Sequence, residues 1–90
     1  MANNASNEAD ELTALSDMVE FMASSLLKEG TEIKIDSKQS GNQWRIELWV
    51  PDDVRGRVIG RGGRIARAMR TLLNNTGIPT HRSVILDIVD

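Results

Sequence analysis

Val54-Arg-Gly-Arg-Val-Ile-Gly-Arg-Gly-Gly-Arg-Ile-Ala-Arg-Ala-Met-Arg70 is the stretch on which the reading of this chain turns. Pro51 ends whatever precedes it, and Asp52 or Asp53 is placed to cap a short helix running to about Ile59. Gly60-Arg61-Gly62-Gly63 interrupts that helix, and a longer one follows from about Gly62 to Asn75, with Ile65, Met69, Leu72 and Leu73 expected inward. Gly77 and Pro79 stop it. A tight glycine turn at a helix start is suited to phosphate. The first helical N–H groups lack partners and carry partial positive charge, and glycine has no Cβ to hold an anion off. Arg61 stands at the tip, Arg64 one turn on, and Arg57, Arg67 and Arg70 spread positive potential around the same end. Val58, Ile59 and Ile65 supply an apolar floor beside it.

Other glycine motifs do not fit. A dinucleotide-binding fingerprint needs glycine where Ile65 stands and a strand before the turn, and a P-loop needs a closing Lys-Ser or Lys-Thr.

Upstream, apolar residues recur at Leu12, Leu15, Val19, Met22 and Leu26, which predicts an amphipathic helix from about Asp10 to Lys28, stopped near Gly30. Met18, Phe21 and Leu27 are expected to widen its stripe. Residues 31–38 alternate, Ser40-Gly41-Asn42 reads as a turn, and residues 43–50 alternate again with Trp44, Ile46, Leu48 and Val50 inward. Trp49 falls on the outward face, where it either meets a partner or is covered by a helix edge or the tail. Residues 82–89, rich in β-branched side chains, form a last strand. The order α-β-β-α-α-β predicts an α+β fold, a three-stranded sheet with helices on one face. Residues 1–9 read as a disordered polar tail and 10–90 as one domain, the most that 90 residues hold.

The net charge of −2 conceals a division. Residues 1–53 carry eleven acids against four bases, whereas 54–86 carry seven arginines and no acid. A polyanion responds to that local potential more than to the sum. Without cysteine there is neither disulfide nor thiolate metal site. No apolar run approaches the roughly 20 residues that span a bilayer. The first residues lack the basic and apolar regions of a secretory signal, so a cytoplasmic location is expected. Catalysis is not expected: His81 is the single histidine and has no nucleophile to serve, and adjacent Asp52 and Asp53 suit capping. No carboxylate or histidine cluster has metal-ligand spacing, and no cofactor is implied.

Val58-Ile59-Gly60-Arg61-Gly62-Gly63-Arg64-Ile65 resembles the signature of KH domains, whose GXXG loop clamps the backbone of about four nucleotides. The element order resembles the type II variant, found mainly in bacteria. From Pro51-Asp52-Asp53-Val54 onward the chain is similar to the small stand-alone KhpA family, and the resemblance covers about residues 10–90.

It implies single-stranded RNA as ligand, held at Gly60, Arg61, Gly62 and Gly63, in a groove lined by Val58, Ile59, Ile65 and the last strand near Val84 to Leu86. Arg57, Arg64 and Arg67 join the expected interface. It also implies a homodimer, or a heterodimer with a larger KhpB-like RNA-binding protein, and a role as post-transcriptional regulator or RNA chaperone. The chain departs from the family in its density of arginine where lysine is often mixed in. The alternative is a KH-like dimerisation or interaction module with little nucleic-acid binding. Single-stranded DNA also fits the chemistry. None of the three aromatics lies near the loop in sequence, so base stacking is expected to add little.

Overall fold

The computed structural model describes residues 4–76 and 83–90, and the side chains from residue 9 onward among these. Helix α1 spans Asn4–Leu26 and strand β1 Lys34–Ser40; β2 spans Gln43–Trp49. A 3-10 turn over Asp52–Val54 leads into α2, Arg55–Ile59. A second, Arg61–Gly63, leads into α3, Arg64–Leu73, and β3 closes the fold at Ser83–Ile88. The observed order is the expected α-β-β-α-α-β of a type II KH domain.

β1 and β2 pair antiparallel through the tight Gly41-Asn42 turn, with Ser40 opposite Gln43. β3 pairs parallel with β2, so the sheet order is β1-β2-β3. A parallel pair requires a crossover, and α2 and α3 provide it. The Gly60–Gly63 turn is thereby fixed between two helices that are both anchored to one core.

Alternation places Trp44, Ile46 and Leu48 of β2 and Val84 and Leu86 of β3 on a single buried face. Leu15, Val19 and Ala23 of α1 meet it, as do Val58 of α2 and Met69 and Leu73 of α3. The Ser16 and Ser37 hydroxyls hydrogen-bond at 2.6 Å and tie α1 to β1. Val50 is buried as expected.

Several boundaries and faces differ from expectation. α1 begins at Asn4, six residues before the expected Asp10. β1 starts at Lys34, not residue 31, because Thr31 is held in the turn leaving α1 by a 3.0 Å bond from its N–H to the Lys28 carbonyl. Phe21 lies outside the buried stripe at 72% exposure. It stands two residues from both Val19 and Ala23, which on a 3.6-residue period is the opposite side of the helix. Leu26, the last residue of α1, is also exposed, and Leu27 is buried in its place. Leu72 is exposed on α3 and Ala66 occupies the core. Neither Asp52 nor Asp53 caps a helix end by a side-chain hydrogen bond; Asp52 pairs instead with the Arg55 guanidinium. Gly77, Pro79 and His81 lie outside the described residues.

The sheet's other face is polar and internally paired. Directly opposed residues there share a sign, Lys38 with Arg45 and Glu47 with Asp87. The ion pairs therefore run diagonally, Lys38 to Glu47 at 3.0 Å and Arg45 to Asp87 at 3.3 Å. The hydrogen bond and charge of Glu47 hold Lys38 above the usual lysine range. Trp49 is half-buried on this face, with the Lys34 ammonium 5.2 Å from its ring centroid. Lys34 thus takes the place of the expected helix edge or tail.

Candidate nucleic-acid interface

The turn is built by a short series of backbone bonds. The Gly60 N–H donates to the Gly56 carbonyl at 2.8 Å, ending α2. The Gly63 N–H donates to the Gly60 carbonyl at 3.0 Å, and the Arg64 N–H donates to Arg61. These bonds use the N–H groups of Gly60, Gly63 and Arg64, and not those of Arg61 and Gly62.

Glycine is required most strictly at Gly60. Gly60 sits at φ 78°, ψ 166°, and a Cβ there would lie 2.7 Å from Ile65 Cγ1 and 2.9 Å from the Ile65 nitrogen. Both conformation and contact exclude a side chain. Gly62, at φ 64° and ψ 16°, is left-handed, but a Cβ there would meet nothing within 4 Å. The first glycine seals the turn against α3, whereas the second opens it to solvent.

Arg61 is exposed at the tip, and Arg57 and Arg64 are exposed on either side. Arg67 reaches back, its Nη1 donating to the Gly62 carbonyl at 2.7 Å. It braces the loop from its carbonyl side. Ile59 and Ile65 are half-buried against the turn.

Val58 does not join them. Its exposure is 0%, because it faces the core between α2 and the sheet, so its side chain is no part of a groove floor. Val84 and Leu86 are likewise core residues, at 7% and 2% exposure. Among the described residues β3 has no strand on its outer side, and Arg70 closes onto that edge, Nε donating to the Leu86 carbonyl at 3.2 Å. Arg55 is diverted from the loop to Asp52 and, at 3.6 Å, to Asp90.

A second feature was not evident from the sequence. Phe21, Met22 and Leu26 of α1 and Ile65, Ala68 and Met69 of α3 line an apolar groove with Arg64 at its rim. Although distant in sequence, Phe21 thus lines the same groove as the two residues that follow the glycine turn. Its place off the 3.6-residue stripe was the available signal. Among the described residues no group of His, Cys, Asp or Glu could hold a metal ion, and no helix is long and apolar enough to cross a membrane.

The α-β-β-α-α-β topology with a glycine turn of this geometry between its last two helices defines a KH domain of type II. Residues 16–88 match the KH domain of KhpA and KhpB, and the chain belongs to that family. It is similar to the RNA-binding protein KhpA of Borreliella burgdorferi, 39% identical over 82% of this chain and 90% of the relative. The RNA-binding protein KhpA of Aquifex aeolicus is 35% identical over 88% of this chain and 100% of its own. That of Mycobacterium tuberculosis is 35% identical over 82% and 89%. No solved structure gives a significant match.

Proposed function

We propose that this chain binds single-stranded RNA without chemistry, the Gly60–Gly63 loop holding the phosphate backbone. The observation that carries the reading is the loop itself. Gly60 leaves no room for a side chain beside Ile65, Gly62 is open to solvent, and Arg61 stands exposed between them. The N–H groups of Arg61 and Gly62, with the Arg61, Arg57 and Arg64 guanidinium groups, form the phosphate-binding set. Ile59 and Ile65 provide the adjacent apolar surface, and the outer edge of β3 with Arg70 forms the far wall. Arg67 acts by positioning the loop. The sheet's other face is a poor rival, since its lysines and arginines are largely matched by Glu47, Asp87 and the Trp49 ring.

With few aromatic contacts, the single domain binds weakly and with little sequence preference. Pairing of two KH units, as a homodimer or with a larger KhpB-like protein, raises affinity through effective concentration. A cytoplasmic post-transcriptional regulator or RNA chaperone is the role this fits. The names of the relatives support RNA as ligand. An amide NMR titration with a short single-stranded RNA tests the site. Shifts centred on residues 59–65 are expected; shifts confined to the outward face of the sheet would overturn it. The alternative, an interaction module with little affinity for RNA, is favoured by one observation, the apolar α1–α3 groove, and a titration without shifts would select it.

A further inference from the structure

The groove between α1 and α3 leaves apolar surface unburied. Phe21 is 72% exposed and Leu26 36%, and the groove they line with Met22, Ile65, Ala68 and Met69 is almost wholly apolar. Leu72, at 54%, adds to the exposed apolar surface of α3. Contiguous exposed apolar surface of this kind marks a contact site.

Its two walls carry opposite charge. α1 holds five acids and no base, and α3 three arginines and no acid. Asp17 and Glu20 flank Phe21 on one side, and Arg64 rims the groove on the other. The ion pairs among the described residues engage none of these three.

Charge on the walls selects the occupant. RNA would meet the arginines of α3 but be repelled by the acids of α1. A strongly basic or strongly acidic protein segment would likewise match one wall and oppose the other. A surface with an apolar centre, an acidic side and a basic side is matched by itself after a half-turn. In a two-fold arrangement every contact occurs twice, so α1 of each copy faces α3 of the other.

We infer that the α1–α3 groove is the homodimer surface of this chain. Phe21 of each subunit inserts into the groove of the other, and Arg64 faces Asp17 and Glu20 of the partner subunit. This rests on the dimer reading above and specifies its surface. Arg64 directly follows Gly63, so pairing at this groove joins two glycine turns in one particle.

Sedimentation velocity of the full chain over a concentration series tests this, with Phe21→Asp, Glu20→Arg, Arg64→Glu and the combined Glu20→Arg/Arg64→Glu. All three positions are exposed, and circular dichroism checks that each variant folds. The wild type is expected to dimerise as concentration rises and Phe21→Asp to remain monomeric. Each single charge reversal should weaken the dimer roughly tenfold, since each unfavourable contact is made twice, and the combined variant should recover most of the loss. A wild type that stays monomeric throughout would overturn the dimer reading and this surface together. Dimerisation of Phe21→Asp equal to wild type would overturn the surface alone. Failure of the combined variant to recover would overturn the charge-matched two-fold arrangement. Loss of RNA binding by Phe21→Asp without a change in mass would assign the groove to RNA instead.

Discussion

Replacing Gly60 with alanine should destabilise the domain far more than one methyl group ordinarily does. The new Cβ would be placed 2.7 Å from Ile65 Cγ1, 2.9 Å from the Ile65 nitrogen and 3.0 Å from Ile65 Cβ. A side chain can rotate away, but the nitrogen is part of α3 and cannot move without displacing the helix. The backbone adds its own penalty, because φ 78° with ψ 166° is open only to glycine. Strain of about 1–3 kcal/mol from conformation and about 1–3 kcal/mol from overpacking gives an expected loss of about 2–6 kcal/mol. That is a large share of the stability of a 90-residue domain, on the order of 5–13 kcal/mol.

Gly56→Ala is the control. It lies in α2 with nothing within 4 Å of the new Cβ, so it should stabilise by about 0.5–1 kcal/mol. Urea titrations read both variants as shifts in midpoint at constant m. Adding Ile65→Ala to Gly60→Ala should recover only part of the loss, because it removes the clash with Cγ1 and leaves the one with the nitrogen. A Gly60→Ala domain within about 0.5 kcal/mol of wild type, the range of an unremarkable surface change, would refute the geometry assigned to the loop.

Three further outcomes follow from the same structure. Val58→Ala should cost about 1.5–3 kcal/mol in urea titrations and leave the RNA affinity of the folded protein unchanged, as befits a core residue. Arg61→Ala should reduce the slope of log Kd against log salt by about 0.7 for single-stranded RNA, the value of one phosphate contact. Arg67→Ala should change stability by only about 0.5–1.5 kcal/mol. It should nevertheless speed amide hydrogen exchange at residues 61–64, because the bond to the Gly62 carbonyl is lost. Unchanged exchange would remove Arg67 from its bracing role.

Much of the fold was legible because two short-range rules agreed with the final packing. Alternation from Trp44 to Val50 identified the buried face of β2, and the glycine turn separated α2 from α3. The errors arose where an apolar side chain was assigned to the wrong face. Phe21 and Leu72 are apolar yet exposed, and Val58 sits in the apolar doublet beside the loop yet faces the core. Sequence shows that Val58 and Ile59 are neighbours; only the direction of α2 shows that their side chains part. The groove between α1 and α3 was not legible, since its walls lie some forty residues apart in the chain. Arg67 and Arg70 were read as general positive potential. Their bonds to Gly62 and Leu86 depend on three-dimensional placement alone.

The central claim, that RNA is held at the Gly60–Gly63 loop, is tested most directly by fluorescence anisotropy. A short labelled single-stranded RNA is titrated with wild type and with Arg61→Asp/Gly62→Asp. The double variant should fold, as circular dichroism would verify: Arg61 is exposed, a Cβ at Gly62 meets nothing within 4 Å, and aspartate tolerates the left-handed conformation. Wild-type binding that weakens with salt and vanishes in the folded variant is the predicted result. Equal binding by the two proteins would contradict the account and place the RNA elsewhere on the domain.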